Sequence, residues 1–459
     1  MLRNADRFRR GSRFKRGRRF RRIDRKPDQE RKEEQSENFQ DGWKSRAVLF
    51  LVSQCITLFG STLVQMAVVW YVTLETGSGV WVSAVSVSSY LPQFLISFPG
   101  GVWADRRNRK WLIIGADAAT AAVTLLLIWL LPFLESGVGE GREGWILAGL
   151  LLMSVLRSAG AGVQTPAVNA VIPQLVPEEQ LMRFNGLNAA MQSLVQFAAP
   201  AAAGALLTLT SLRTVLWVDV VTAAVGIGLL ACVHLPAAVS QRGPRSGGTG
   251  RAAGLREGIA YVLRHKRIKS LLLVYGLFVF FCVPAGFLAG LLVSRVYGDT
   301  YGYLTAVELA GFAGMAAGGL LMSLWGGFGR REKMLSLGLA AFGLASALMG
   351  ITEEFGLYLI LMAFYGVALT VVQTAVTTLL QEQADRAVQG RIFGMQSSMY
   401  AGFLPLGMAV FGPLADVVPL QWIMIGAGGA LAALAALTGG SRGRKANREK
   451  QMKIDKNGL

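Results

Sequence analysis

The sequence predicts an all-α polytopic membrane protein: twelve transmembrane helices in two six-helix halves, with the N- and C-termini cytoplasmic. Three observations carry that prediction. Of the 459 residues, 53% are hydrophobic and 16% charged, whereas soluble proteins hold about 25% charged residues, so much of the surface has to face lipid. The apolar residues gather into runs broken by glycine, proline or charge, each near the length of about 20 residues that crosses a bilayer as a helix. The 46 Lys and Arg residues fall almost entirely into alternate loops, and the 55 glycines suit close packing of helices in lipid.

Residues 1–46 hold 17 basic and 8 acidic side chains, the composition of a disordered cytoplasmic tail. The apolar stretch from Ala47 lacks a small-residue cleavage site after a short core, so it reads as an uncleaved first span. Spans one to six are expected near 47–74, 80–104, 111–133, 145–168, 184–209 and 214–235. Spans seven to twelve are expected near 268–294, 303–327, 334–351, 355–380, 392–415 and 420–440. The stretch 236–267, rich in Gly, Ser and Arg, joins an N-terminal half, 47–235, to a C-terminal half, 268–440, and a second basic cytoplasmic tail, 441–459, follows.

Threaded alternately from a cytoplasmic N-terminus, these spans put 42 of the 46 basic residues on the cytoplasmic side. Arg142, Arg213 and Arg295 remain outside and Arg157 lies within the membrane. Basic residues concentrate on the cytoplasmic side of membrane proteins, and that asymmetry fixes the expected orientation. The halves also echo each other. Arg107 and Lys110 after span two match Arg330 and Lys333 after span eight at an offset of 223, and Arg183 to Gly186 match Arg391 to Gly394 at an offset of 208. Such repeats are the architecture of a transporter.

A polar side chain in a span must face protein or a water-filled cavity, because lipid offers it no partner. Gln54, Thr57, Ser61 and Gln65 in span one, Asn188, Gln192 and Gln196 in span five, and Gln373, Thr377 and Gln381 in span ten recur at helical spacing, each set on one face. With Tyr400 of span eleven, these stripes give Gln54, Ser61, Gln65, Gln192, Gln196, Gln373, Thr377 and Tyr400 as the candidate substrate cavity. Helix-to-helix hydrogen bonding is the competing reading. Spans nine and twelve have almost no polar interior and read as lipid-facing scaffold.

Ionisable residues within spans are fewer. Arg157 sits about twelve residues into span four, ~18 Å at 1.5 Å per residue, near mid-bilayer, and needs a partner there. Glu308 in span eight and Asp219 in span six lie one to two turns from the outer face, and Asp117 in span three lies similarly near the inner face with Thr120 and Thr124 on its side. A carboxylate in low dielectric can exchange a proton near neutral pH, so Glu308, Arg157, Asp219 and Asp117 are the candidate proton-coupling residues. For Asp117 and Asp219 a structural hydrogen bond competes with that role.

The loop from Gly101 through Asp105, Arg106, Arg107, Asn108 and Arg109 to Lys110 resembles the signature loop of the major facilitator superfamily, glycine then Asp-Arg-x-Gly-Arg-Arg/Lys, with Asn108 in the usual glycine position. Ser53 to Ser61 with Trp70, Pro166 to Leu181, and Gly390 to Gly394 leading to Gly412 through Asp416 resemble its macrolide-efflux and enterobactin-exporter branch. The resemblance covers about residues 45 to 440. It implies a twelve-helix exporter driven by the proton gradient, with Arg157 in the place of an arginine linked to proton transfer. It also implies a cytoplasmic gate at Gly101, Asp105, Arg106, Arg109 and Lys110, where the charges bridge to helix ends of the other half.

The expected function is secondary export of amphiphilic small molecules, drug-like compounds or siderophores, by alternating access with proton antiport. An uncoupled facilitator or lysophospholipid flippase of the same fold is the alternative. The expected partners are a small-molecule substrate, protons, and anionic lipid at the basic tails; no nucleic acid is expected to bind, and a monomer is the expected state. Cys55, Cys232 and Cys282 sit in apolar runs at unrelated spacings, and His234 and His265 lack ligand-spaced partners, so no metal or cofactor is expected. No nucleotide-binding loop occurs, and His234 and His265 lie at the cytoplasmic edge or in a loop, not deep in the bilayer as a membrane-embedded enzyme would need, so the chain is not read as an enzyme.

Overall fold

A computed structural model describes residues 26–136, 142–177, 180–233, 261–325, 331–383 and 389–457. Contacts divide the chain into two units, Met1–Ser45 and Arg46–Leu459, and the second holds the membrane body. Twelve helices among the described residues are long and apolar enough to cross a membrane. In order, spans one to six are Trp43–Thr76, Gly79–Ser97, Arg109–Phe133, Gly144–Leu175, Met191–Leu209 and Leu212–Cys232. Spans seven to twelve are Lys266–Val296, Tyr301–Met322, Arg331–Ile351, Phe355–Gln383, Ile392–Val417 and Leu420–Thr438. The expected all-α twelve-span architecture is therefore present.

The first and last helices run furthest beyond their spans. The one that carries span one runs Lys26–Thr76, so the tail expected to be disordered is helical from Lys26 onward. Its 29–37 segment is dominated by Gln, Glu, Lys and Arg, all good helix formers. Span twelve's helix continues through the basic stretch to Asn457. Residues 1–25 and most of the expected linker lie outside the described residues.

Span seven is broken into Lys266–Gly286 and Ala289–Val296. Pro284 cannot donate a backbone hydrogen bond, and both Phe287 N–H and Leu288 N–H turn back to the Val283 carbonyl, at 2.9 and 3.2 Å.

Small residues set the helix contacts. In the first half span two packs on span four where Gly100 faces Gly162, and span six packs on span one where Gly226 faces Thr57 and Ser53. In the second half Gly314 and Gly366 bring spans eight and ten together, and Gly343 and Gly428 do so for spans nine and twelve. Lipid supplies no hydrophobic drive between spans, so close backbone approach is what holds them. Spans nine and twelve, expected as scaffold, seat these glycines on each other and expose Leu337, Leu344, Trp422 and Leu437.

With twelve spans, the body begins and ends on one face, here called the termini face. At the opposite, far face the described turns are short: Gly77 and Ser78, Thr210 and Ser211, residues 297–300, 352–354, and 418–419. Gly77 takes φ of 55°, a left-handed conformation that a side chain would strain. The halves meet through spans two and eleven and through spans five and eight. Their described close contacts lie toward the far face, at Gly79 with Gly412, Gly204 with Thr305, and Tyr90 with Phe287.

Candidate functional site

The first half encloses a cavity of about 320 Å³ bounded by spans one to five. Its wall repeats the polar stripes of the sequence: Gln54, Thr57, Ser61 and Gln65 from span one, and Asn188, Gln192 and Gln196 from the helix of span five. Span two adds Ser89 and Gln93, and span four adds Arg157, Ser158, Gln164 and Asn169. Eight carboxamides thus share one space: Gln54, Gln65, Gln93, Gln164, Asn169, Asn188, Gln192 and Gln196. The span-ten stripe is not part of this wall. Gln373 is exposed, Thr377 accepts a hydrogen bond from Gln396 Nε2 at 3.2 Å, and Tyr400 is half-buried in the second half.

Arg157 forms a buried ion pair with Asp219. Nη1 meets Oδ2 and Nη2 donates to Oδ1 at 3.1 Å, a bidentate fork. Thr124 completes it: its hydroxyl donates to Asp219 Oδ2 at 3.0 Å and accepts from Arg157 Nη1 at 2.6 Å. Three helices therefore converge, span four with the cation, span six with the acid and span three with the hydroxyl. One turn nearer the termini face on span three, Thr120 joins the cavity wall, and Asp117 follows. Gln164 donates to Asp117 Oδ1 at 2.7 Å, while Oδ2 is buried with no hydrogen-bond partner among the described residues.

Glu308 was expected to share coupling with Arg157, but it stands apart from this cluster. It is half-buried, has no hydrogen bond or ion pair among the described residues, and lies within electrostatic reach of Tyr90 and Tyr358. Arg157 has its partner in Asp219 instead, because spans three, four and six pack together within one half.

The signature loop also acts inside its own half. Arg109 donates from Nη1 to the Ala170 carbonyl at 2.7 Å and from Nε to Ala104 at 3.0 Å. Lys110 Nζ donates to the carbonyls of Ala231 and Val233 at 2.7 and 2.8 Å. Cations thus satisfy the carbonyl ends of the helices of spans four and six, the ends where the helix dipole is negative. The expected bridge to the other half is not made by these two residues. Asn108 Oδ1 accepts the Lys110 N–H at 3.0 Å and starts span three. Gly101 has open space around it, and the Asp105 and Arg106 side chains lie outside the described residues.

Sequence reasoning missed a polar cluster at the far face, where Asp416, Arg295 and Ser78 join the halves. Asp416 entered only as part of a family-like stretch. The available signal was its ending, Gly412-x-x-Ala415-Asp416, which repeats that of Gly101-x-x-Ala104-Asp105.

A membrane bundle with a polar cavity walled by one half, and halves that meet toward one face, has the build of a solute transport protein. The profile of the Major Facilitator Superfamily matches residues 50–408, and the chain belongs to that family of transport proteins, which are not enzymes. It is a multi-pass protein of the cell membrane, and its partners include a small-molecule substrate. The chain is 28% identical over 390 residues to macrolide efflux protein A of Streptococcus pyogenes, covering 84% of this chain and 93% of that protein. It is 22% identical over 387 residues to the multidrug efflux pump Tap of Mycobacterium tuberculosis, covering 82% and 88%. Among solved structures, the nucleoside transporter NupG superposes with a TM-score of 0.66 at 14% identity, covering 86% of this chain and 98% of that one. A bacterial homologue of ferroportin in an inward-facing state superposes with a TM-score of 0.65 at 15% identity, over 86% and 98%.

Proposed function

We propose that this protein exports amphiphilic small molecules from the cytoplasm by alternating access, exchanging them for protons. The observation that carries the reading is the carboxamide-lined cavity with the Arg157–Asp219 pair in its wall, in a body whose halves touch at the far face. Drug efflux by its relatives supports the outward direction, and the charge asymmetry of the loops supports a cytoplasmic termini face. Carboxamides donate and accept hydrogen bonds without net charge. They suit a compound rich in hydroxyl and carbonyl groups, a description that fits drug-like compounds and siderophores alike.

Coupling follows from the ion pair. A proton delivered to Asp219 removes the charge that holds Arg157, and a freed guanidinium beside Asp117 and the cavity is a different electrostatic state for a ligand to meet. Glu308, unpaired among the described residues, is the acid through which the second half takes part. Two states of different charge that favour opposite-facing conformations are sufficient to link proton entry to substrate exit.

The test is transport in proteoliposomes with an imposed ΔpH. Glu308→Gln mimics the protonated acid at nearly the same volume, and it should retain downhill movement while losing pH-driven accumulation. Asp219→Asn should do the same. If both variants keep full ΔpH-driven accumulation, neither acid carries the coupling; if the parent only equalises substrate across the membrane, with or without ΔpH, the protein is the uncoupled facilitator.

A further inference from the structure

Spans two and eleven lie side by side and run in opposite directions, so at the far face the end of span eleven sits beside the start of span two. At the far face the last residues of span eleven grip the first residues of span two. Asp416 Oδ2 accepts the Ser78 hydroxyl at 2.7 Å and the Val80 N–H at 2.9 Å, and Oδ1 accepts the Gly79 N–H at 2.6 Å. Ser78 is the N-cap residue of that helix, yet its own side chain makes no capping bond. The cap is supplied from the other half: a carboxylate occupies the place where free helix N–H groups and the positive end of the helix dipole attract an anion.

Arg295, at the end of span seven, closes the arrangement. It donates from Nη2 to Asp416 Oδ1 at 2.8 Å, from Nη1 to the Ala415 carbonyl at 2.6 Å, and from Nε and Nη2 to the Gly77 carbonyl at 3.0 and 2.5 Å. The guanidinium thus bridges the carbonyl that follows span one to the carbonyl end of span eleven. Glycines make room for it. Gly79 and Gly412 face each other so closely that a side chain on either would strike the other helix.

We propose that this cluster is a releasable latch: Asp416 caps span two across the interface, Arg295 clamps the cap, and substrate can leave at the far face only after the two let go. The inference rests on the alternating-access reading and adds the device that holds one of its states. The sequence supplies a matching part at the other end of the same helix pair. Span two's helix closes with Gly101-x-x-Ala104-Asp105 at the termini face, as span eleven closes with Gly412-x-x-Ala415-Asp416 at the far face. In sequence the pair therefore carries one acid near each end, Asp105 closing the helix of span two and Asp416 closing span eleven. Rocking the halves engages one and withdraws the other.

The experiment measures distances by pulsed electron resonance on full-length protein in lipid nanodiscs, with Cys55, Cys232 and Cys282 replaced. Spin labels at Leu209→Cys and Ile351→Cys report the far face, and labels at Trp111→Cys and Leu324→Cys report the termini face; all four positions are exposed. In the parent the far-face distance should be short and single. Asp416→Asn and Arg295→Gln, made separately, should each replace it with a longer one and shorten the termini-face distance. Gly79→Leu, which wedges the same interface without touching a charge, should produce the same shift. If Gly79→Leu moves both distances while Asp416→Asn and Arg295→Gln leave them at parental values, the charges hold nothing and the latch is refuted. If none of the three moves either distance, the faces do not exchange, and the alternating-access reading falls together with the latch.

Discussion

Arg157 shows why a lone charge in a span is an incomplete reading. A guanidinium at mid-depth required a partner, and its depth could be counted from the sequence, but the partner depends on how spans three, four and six are turned toward one another. Asp219 and Thr124 supply it. Because the pair is buried, removing one member leaves the other uncompensated, whereas removing both does not. Arg157→Met should therefore cost about 3–5 kcal/mol of stability, and Arg157→Met with Asp219→Leu should recover most of that loss. Thermal unfolding of the purified single and double variants measures it; additive losses would mean that the two side chains do not stabilise each other. Asp416 eluded the sequence for a related reason. An acid at the end of a span looks like ordinary solvated decoration until the helix start it caps, more than 300 residues earlier, is placed beside it.

For whole helices, periodicity predicted well which residues share a face and poorly what that face meets. The stripes of spans one and five face a common cavity, as their spacing suggested, but the equally regular stripe of span ten does not reach it. A repeat of four residues fixes the side of a helix, and only packing decides whether that side turns toward a cavity or a neighbour. Glycine is subject to the same limit. Gly343 and Gly426 are indistinguishable in sequence, yet a Cβ on Gly343 would lie 2.5 Å from the Gly428 carbonyl oxygen, and one on Gly426 would meet nothing within 4 Å. Gly343→Leu should then destabilise the protein by about 1–3 kcal/mol through overpacking, while Gly426→Leu stays near parental stability. Melting temperatures in one detergent compare the two, and equal values would deny that spans nine and twelve depend on close backbone approach.

The span count and the helical class of the whole molecule were legible because they rest on sums over many residues, which a misplaced boundary does not disturb. Its orientation rests on another such sum, the placement of 42 of the 46 basic residues on the termini side. In intact cells an impermeant thiol reagent should therefore label Gly141→Cys and spare Ser246→Cys in a cysteine-free background; the reverse pattern would invert the assignment. A last consequence belongs to the far-face turns. Five of the described connections there are two to four residues long, so among the described residues helix ends and tight corners make up the relief. With that face outward, these five corners offer a protease almost no extended strand to bind and an antibody no protruding loop to surround. A binder that lands on these corners from outside the cell reads a mosaic of helix tips, so it would sense the opening of the mosaic more readily than the identity of any one tile.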